Sequence, residues 1–382
     1  MLVILLNYLK LKKERFILHL KRNLYFTFWT LSACFFELLI PKVNASEIQI
    51  EKIGAVKFPW GLATIGPRQV LVTTKPGRLY LFDLSSKVRT LINGTPEPAY
   101  VRQGGLLDIA VQKKLGQNYI FICYSKIISD GKLTVAISKS TLTGTALVKT
   151  KNIFVSNHKS ESGIHFGCRL ALDHKYLYAS LGDRGNRKNA QNLQNHAGSI
   201  IRLPLSGLKT SRKLGWLSEV YSIGHRNPQG LSFQQSTGQL WSHEHGPRGG
   251  DEINIIKKNY NYGWPTVSYG KEYIGGNIGL NYSPVGFTDP VWTWTPSIAP
   301  SGMAFYYGTM FKEFENKLLV GALKYRCLQV ITLSKNNIPI DEECLFKKTF
   351  GRIRDVEILE DGSILVINDE KNGHLFRLHK VE

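Results

Sequence analysis

The chain has 382 residues and a net charge of +20, yet only 20% of its residues are charged and 35 are glycine. That length admits a large core in one or two domains, and many glycines with few charges favour short strands and tight turns over long solvated helices. A basic surface suits nucleic acid, an anionic membrane or an acidic small molecule, but no basic run with interleaved aromatics and no nucleic-acid module is present, which argues against the first.

The chain opens on a basic segment from Lys10 to Arg22, then an apolar run from Leu24 to Ile40 interrupted by Glu37. Residues 1–45 carry seven Lys/Arg against two acids, leaving +15 on the rest. Val43 and Ala45, just before Ser46, meet the small-residue rule for signal cleavage. Residues 1–45 therefore read as a signal peptide or N-terminal anchor, and 46–382 as the mature body. Glu37 and the short apolar run argue against a stable span. Export to the periplasm is the expectation, with anchoring by residues 24–40 as the alternative. No apolar run near 18 residues recurs in the body.

Through residues 46–382 one unit repeats: three short apolar runs separated by turns. The first is Gly61–Thr64, Gln69–Thr73 and Gly77–Phe82. The second is Leu106–Val111, Tyr119–Cys123 and Leu133–Ile137. The third is Arg169–Leu172, Tyr176–Ser180 and Ser199–Leu203. The fourth is Gly230–Phe233, Gln239–Ser242 and Glu252–Ile256. The fifth is Gly302–Phe305, Lys317–Val320 and Leu328–Thr332. The sixth is Val356–Leu359, Ser363–Ile367 and Gly373–Arg377. Runs of this length, alternating or wholly apolar and bounded by Gly, Asp, Asn or Pro, are strands. Six units of about 56 residues each predict an all-β, six-bladed β-propeller. The segment Glu47–Glu51 is expected to close the ring by pairing with the last blade, which removes an open sheet edge. The stretches 209–213 and 275–281 read as surface insertions.

None of the five cysteines forms a CxxC or a metal-ligand spacing. Cys327 and Cys344 are either a disulfide or buried free thiols. No GxGxxG stands at a strand-to-helix turn, which argues against a nicotinamide cofactor. His243-Glu-His245 places two imidazoles on one side of a strand but lacks a third ligand at a zinc spacing.

Polar loops gather between the strands, most densely from Ser222 to Pro265. They include Gln103-Gly-Gly-Leu-Leu107, His165-Phe-Gly-Cys-Arg169, Leu181-Gly-Asp-Arg-Gly185, Gly224-His-Arg-Asn-Pro-Gln-Gly-Leu231, Glu244-His-Gly-Pro-Arg-Gly-Gly-Asp-Glu-Ile-Asn254, Asn261-Tyr-Gly-Trp-Pro265, Gly321-Ala-Leu-Lys324 and Gly351-Arg-Ile-Arg-Asp355. This ordered set resembles the soluble glucose/sorbosone dehydrogenase family, and within it the broad-range aldose sugar dehydrogenases. The resemblance implies calcium and pyrroloquinoline quinone (PQQ) as cofactors and oxidation of an aldose C1 hydroxyl to a lactone. It places His165 as general base. It places Gln103, Arg226, Asn227, Tyr273, Lys324, Arg352 and Arg354 at quinone-contacting positions, with Ala322, Leu323 and Ile353 beside them. Gly246 and Pro247 would offer carbonyls to a calcium that holds PQQ, and Glu252 and Tyr262 would bind a second, structural calcium.

The residue types suit that chemistry. PQQ carries three carboxylates, and Arg226, Lys324, Arg352 and Arg354 supply four cations, with arginine's planar fork matched to carboxylate. An imidazole accepts a hydroxyl proton near neutral pH. Calcium takes oxygen ligands. Some family members have an acid before the histidine; here Ile164 stands there, so another group must orient His165. The partners expected are an aldose and an electron acceptor that the sequence does not identify, with no nucleic acid. Two rivals remain: a non-enzymatic propeller that binds a sugar or protein through the same face, and a calcium-dependent lactonase, which needs no cradle for a tri-anion.

Overall fold

The structure, a computed structural model, describes residues 48–207 and 214–380. The expected signal or anchor at 1–45, Cys34 and the 209–213 insertion lie outside the described residues.

The first strand is β1 (Ile48–Val56). Blade 1 follows as β2 (Pro59–Gly66), β3 (Gln69–Thr74), β4 (Leu79–Asp83) and β5 (Arg89–Ile92). Blade 2 is β6 (Leu106–Lys114), β7 (Gln117–Ile127), β8 (Leu133–Thr143) and β9 (Ala146–Val155). Blade 3 is β10 (Gly167–Leu172), β11 (Tyr176–Leu181), β12 (Ser199–Pro204) and β13 (Val220–Ile223). Blade 4 is β14 (Pro228–Gln234), β15 (Gln239–Glu244), β16 (Asp251–Ile256) and β17 (Trp292–Trp294). Blade 5 is β18 (Pro300–Phe305), β19 (Leu318–Ala322), β20 (Cys327–Leu333) and β21 (Pro339–Leu345). Blade 6 is β22 (Ile353–Ile358), β23 (Ile364–Asn368) and β24 (Gly373–Lys380), completed by β1.

Each blade is a four-stranded antiparallel sheet. The innermost strands β2, β6, β10, β14, β18 and β22 touch in turn, and β22 touches β2, so the six sheets close a ring. Closure is the predicted one: β1 pairs with β24 from Ile48 opposite Lys380 to Val56 opposite Gly373. Among the described residues there is no α-helix, only two 3-10 turns, and no helix long and apolar enough to cross a membrane.

Three strands of each blade coincide with the apolar runs of the sequence. In blades 1 to 5 the fourth does not, and in β9 and β21 the reason is that the outermost strand faces solvent. In β9 the run Lys149-Thr-Lys-Asn152 is exposed, and in β21 Ile340-Asp-Glu342 is. Such strands carry no apolar pattern and are held by their neighbours' ladder. The core is divided into packets between adjacent blades. Leu71, Leu79 and Ile92 of blade 1 pack on Leu106, Ile120 and Ile122 of blade 2, and Trp241 and Ile253 of blade 4 pack on Leu318 and Val320 of blade 5. Each fully buried Leu or Ile contributes about 1.5–3 kcal/mol, so the packets fix neighbouring blades relative to one another.

Among the described residues there are two disulfides. Cys327 and Cys344 are bonded across β20 and β21. Cys123 and Cys168, which carry no spacing signal, join blade 2 to blade 3.

Every innermost strand has a register shift near its start, between Pro59 and Leu62, Leu106 and Ile109, Gly167 and Leu170, Pro228 and Gly230, Pro300 and Met303, and Ile353 and Asp355. Bulges re-aim side chains. Side chains at three of these shifts meet between the inner strands: Arg169 lies 3.1 Å from Asp108 Oδ1 and 2.9 Å from Asp355 Oδ1. Its Nε donates to Gln229 O at 2.7 Å and its NH2 to Arg354 O at 2.9 Å. Gly302 gives Asp355 room, since a Cβ there would overlap the carboxylate. This cluster links blades 2, 3, 4 and 6 through one guanidinium.

Candidate active site

Beside the charged cluster, at the starts of the inner strands, lies a cavity of about 200 Å³. Its wall includes Trp60, Lys75, Gln103, Leu107, Phe166, Gly167, Asn227, Gln229, His245, Ala299, Leu323, Arg352, Arg354 and Asp369. The loops that supply these residues lie far apart in the chain and meet because every inner strand starts at the same end of the ring.

Of the residues predicted from the sequence, Gln103, Asn227, Leu323, Arg352 and Arg354 line this cavity. Arg226 is buried next to it, with NH1 donating to His245 O and Gly246 O at 3.0 Å each. Ala322 and Ile353 are buried in β19 and β22. Lys324 is exposed beside Leu323, and Tyr273 is exposed on the loop after β16; neither is part of the wall.

His165 precedes two of the wall residues. Its backbone has φ 51°, a costly conformation for a residue with a Cβ and one that clusters at functional sites. Its amide donates to Gln103 Oε1 at 2.7 Å. Its Nδ1 lies 2.7 Å from Asp183 Oδ1. A carboxylate only accepts, so Nδ1 carries the proton and Nε2 is left as the basic nitrogen. Asp183 is the orienting acid that Ile164 does not provide. Its Oδ1 also accepts from Gly185 N at 2.7 Å, and Oδ2 accepts from Trp264 Nε1 at 2.8 Å. Burial alone would push the Asp183 carboxyl up, but the hydrogen bond and charge of His165, the Gly185 amide and the Trp264 indole bring it below its ordinary value. Arg184 holds the loop that carries His165. Its guanidinium donates to the carbonyls of Ser162 and Ile164 and lies 3.4 Å from the Phe166 ring centre.

The cavity holds more positive than negative charge. Lys75, Arg352 and Arg354 face a single acid, Asp369, which is 2.8 Å from Arg354 NH2 and 3.4 Å from Arg352 NH2. Burial pushes Lys75 down, and Arg354 and Arg352 lower it further against the opposing pull of Asp369. Arg354 Nε is buried without a hydrogen-bond partner. Lys75 and Asp369 carry no sequence signal: each stands in a turn between strands, where charged residues are commonplace. Asp183 does stand in the quoted loop Leu181–Gly185, but spacing alone does not show which imidazole it meets.

A second charged region lies beside Arg226. Glu244 accepts from His225 Nδ1 at 2.9 Å and from the amides of Arg226 and Asn227. Asp251 accepts from Gly246 N at 2.8 Å and from Ser297 Oγ at 2.7 Å. Burial pushes Glu252 well above its ordinary value, and Glu244, Asp251 and Asp289 add to the rise. Tyr262 stacks on His225 with ring centres 4.9 Å apart, and its hydroxyl donates to Ile255 O at 2.7 Å. Among the described residues no group of three or more His, Cys, Asp or Glu side chains is placed to hold a metal ion.

Residues 56–377 match the family model described as Glucose / Sorbosone dehydrogenase. The chain is 35% identical over 333 residues to the aldose sugar dehydrogenase YliI of Escherichia coli, covering 84% of this chain and 89% of that protein. It is 28% identical over 274 residues to quinoprotein glucose dehydrogenase B of Acinetobacter calcoaceticus, covering 52% and 57%. The crystal structure of the soluble aldose sugar dehydrogenase from Escherichia coli in its apo-form superposes with a TM-score of 0.83 at 32% identity, over 87% of this chain and 100% of that one.

Proposed function

The chain belongs to the glucose/sorbosone dehydrogenase family, and on that premise we propose that it oxidises the C1 hydroxyl of aldoses to lactones with PQQ and calcium as cofactors. The observation that carries this reading is the cation surplus of the cavity beside an oriented His–Asp pair. Three cations against one carboxylate in a partly buried space are repulsive until an anion enters, and a tri-anion matches the surplus. The orphaned Nε of Arg354 is a buried donor without an acceptor, which a carboxylate or quinone oxygen would satisfy.

Bound there, PQQ with calcium would supply a Lewis-acid-activated two-electron acceptor. The chain's own part is to hold that acceptor and to move one proton. Lys75, Arg352 and Arg354 bind the carboxylates. Arg226, Asn227 and Gln103 would position the ring, and Tyr273 and Lys324, on exposed loops outside the wall, are the remaining residues that the resemblance assigns to PQQ. His165 Nε2 takes the C1 hydroxyl proton, while Asp183 keeps the opposite nitrogen protonated and steadies the imidazolium that forms. Gly246 and Pro247 would give carbonyls to the cofactor's calcium. Glu252 and Tyr262 suit a second calcium, because Glu252 stands among three acids with no donor to its carboxylate among the described residues; a divalent cation relieves that repulsion.

Two disulfides support an oxidising compartment, in line with export directed by residues 1–45. The cation surplus favours a quinoprotein over a lactonase or a sugar-binding propeller, neither of which needs to hold a tri-anion. The test is dye reduction by purified apo-protein given PQQ, calcium and a panel of aldoses. Turnover that depends on both cofactors is expected; no turnover with any aldose at saturating PQQ removes the enzyme reading.

A further inference from the structure

Asp183 is fixed at both oxygens, and the two ends come from different places. Oδ1 meets His165 Nδ1 and the Gly185 amide. Among the described residues, Oδ2 meets only the indole N–H of Trp264, 81 residues away on the loop after β16. The indole is buried, 4% exposed, and packed with Ala190 and Ile278. Trp264 N donates to Gly224 O at 3.0 Å, and Trp264 O accepts from Gln191 Nε2 at 2.7 Å. The guanidinium groups of Arg226 and Arg187 lie 5.4 and 5.5 Å from its ring centre. Arg187 in turn forms a two-pronged ion pair with Glu272. The ring therefore has one setting, and its N–H points at the one carboxylate oxygen that His165 leaves free.

We propose that Trp264 is a positioning residue for the proton-accepting histidine: its indole N–H pins Asp183 so that the carboxylate presents a single oxygen, in a single orientation, to His165 Nδ1. The inference rests on His165 being the base. An Asp183 free to rotate about its Cβ–Cγ bond would hold Nδ1–H less firmly, and the other imidazole tautomer, with Nε2 protonated and useless as a base, would gain population.

The test uses 15N-labelled apo-protein above the imidazole titration, where the ring nitrogens report the tautomer. The wild type is expected to show His165 as Nδ1–H. Trp264→Phe, which keeps the packing and removes the donor, is expected to show a measurable Nε2–H fraction. In the loaded enzyme it should lower kcat about tenfold, the usual scale for one hydrogen bond to a charged group, with the sugar KM changed less than about threefold. A folded Trp264→Phe protein that keeps the pure Nδ1–H tautomer overturns the proposal. The spectrum needs neither cofactor nor sugar, so it decides the matter even if no aldose is oxidised. Should that variant not fold, the wild-type protein still decides: the Trp264 indole N–H resonance must shift with the same midpoint as the His165 ring, and a resonance indifferent to that titration overturns the assignment.

Discussion

Two neighbouring charged regions lie along the inner strands, one among the strands and one at their starts and the adjoining turns, and they are balanced differently. Among the inner strands, Arg169 sits between Asp108 and Asp355, with Glu357 lining the same 230 Å³ space. That region has more acid than base, and burial pushes Asp108 up to about 7 and Glu357 up to about 8. Protonation lets it approach neutrality with no guest. At the strand starts, Lys75, Arg352 and Arg354 face one acid, Asp369. Arginines do not give up protons near neutral pH, so that surplus persists until an anion arrives. Charges that neutralise one another hold blades together; charges that cannot are left for a ligand.

Four changes break or sharpen this contrast. The largest effect belongs to His165→Ala, which should lower the turnover rate by about 10²–10⁴ while the melting temperature stays close to wild type; steady-state dye reduction and thermal unfolding measured together check it. Arg169→Met should act in the opposite sense, on stability. Removing one partner of a buried ion pair costs about 3–5 kcal/mol, tempered here because Asp108 and Asp355 can take up protons, so a melting temperature lower by several degrees is expected by calorimetry.

Lys75→Met should weaken PQQ binding about tenfold, as loss of a charge-assisted contact does. The apo-protein should melt no lower than wild type, because a repelled cation has gone. Lys324→Met, at an exposed position outside the cavity wall, should change affinity less than about threefold. Equal effects of the two lysines on binding would mean that the wall is wrongly drawn.

The smallest effect is expected for Glu357→Gln, and it depends on pH. The carboxyl is raised by burial first, then by Asp355 and Asp108, against the lowering effect of Arg169. The folded state therefore keeps a proton that the unfolded chain has lost, and stability falls as pH rises from the ordinary glutamate range toward about 8. The glutamine variant lacks this loss and should gain on wild type over that window. Glu357 is partly exposed, so solvent screening keeps the gain small. Melting curves at pH 5 and pH 8 measure it.

The parts legible in the sequence are those where burial imposes a pattern. Leu71, Ile122 and Val320 sit in strands with a buried apolar stretch at their centre, so the six repeats, their three inner strands and the β1 closure can be read directly. The outer strands cannot, since Lys149 and Glu342 face water and carry no periodicity. The same divide runs through the site. Arg352 and Arg354 are two apart on an extended segment and share a face. His165 and Asp183 come together because β10 and β11 pair antiparallel, Gly167 opposite Leu181, but which side chains of the flanking loops meet is set by the loop backbone, and Trp264 reaches Asp183 from another blade. Cys123 and Cys168 stand 45 residues apart on different blades, a pairing set by ring geometry and by nothing local.

The central claim is that the cavity at the strand starts is a site for one tri-anionic quinone. Titrating the apo-protein with PQQ in the presence of calcium tests it most directly. Saturation at one PQQ per chain is predicted, with affinity lowered by Arg354→Met and by Lys75→Met and untouched by Glu357→Gln. Absence of saturable binding, or binding indifferent to both cation replacements, would contradict it.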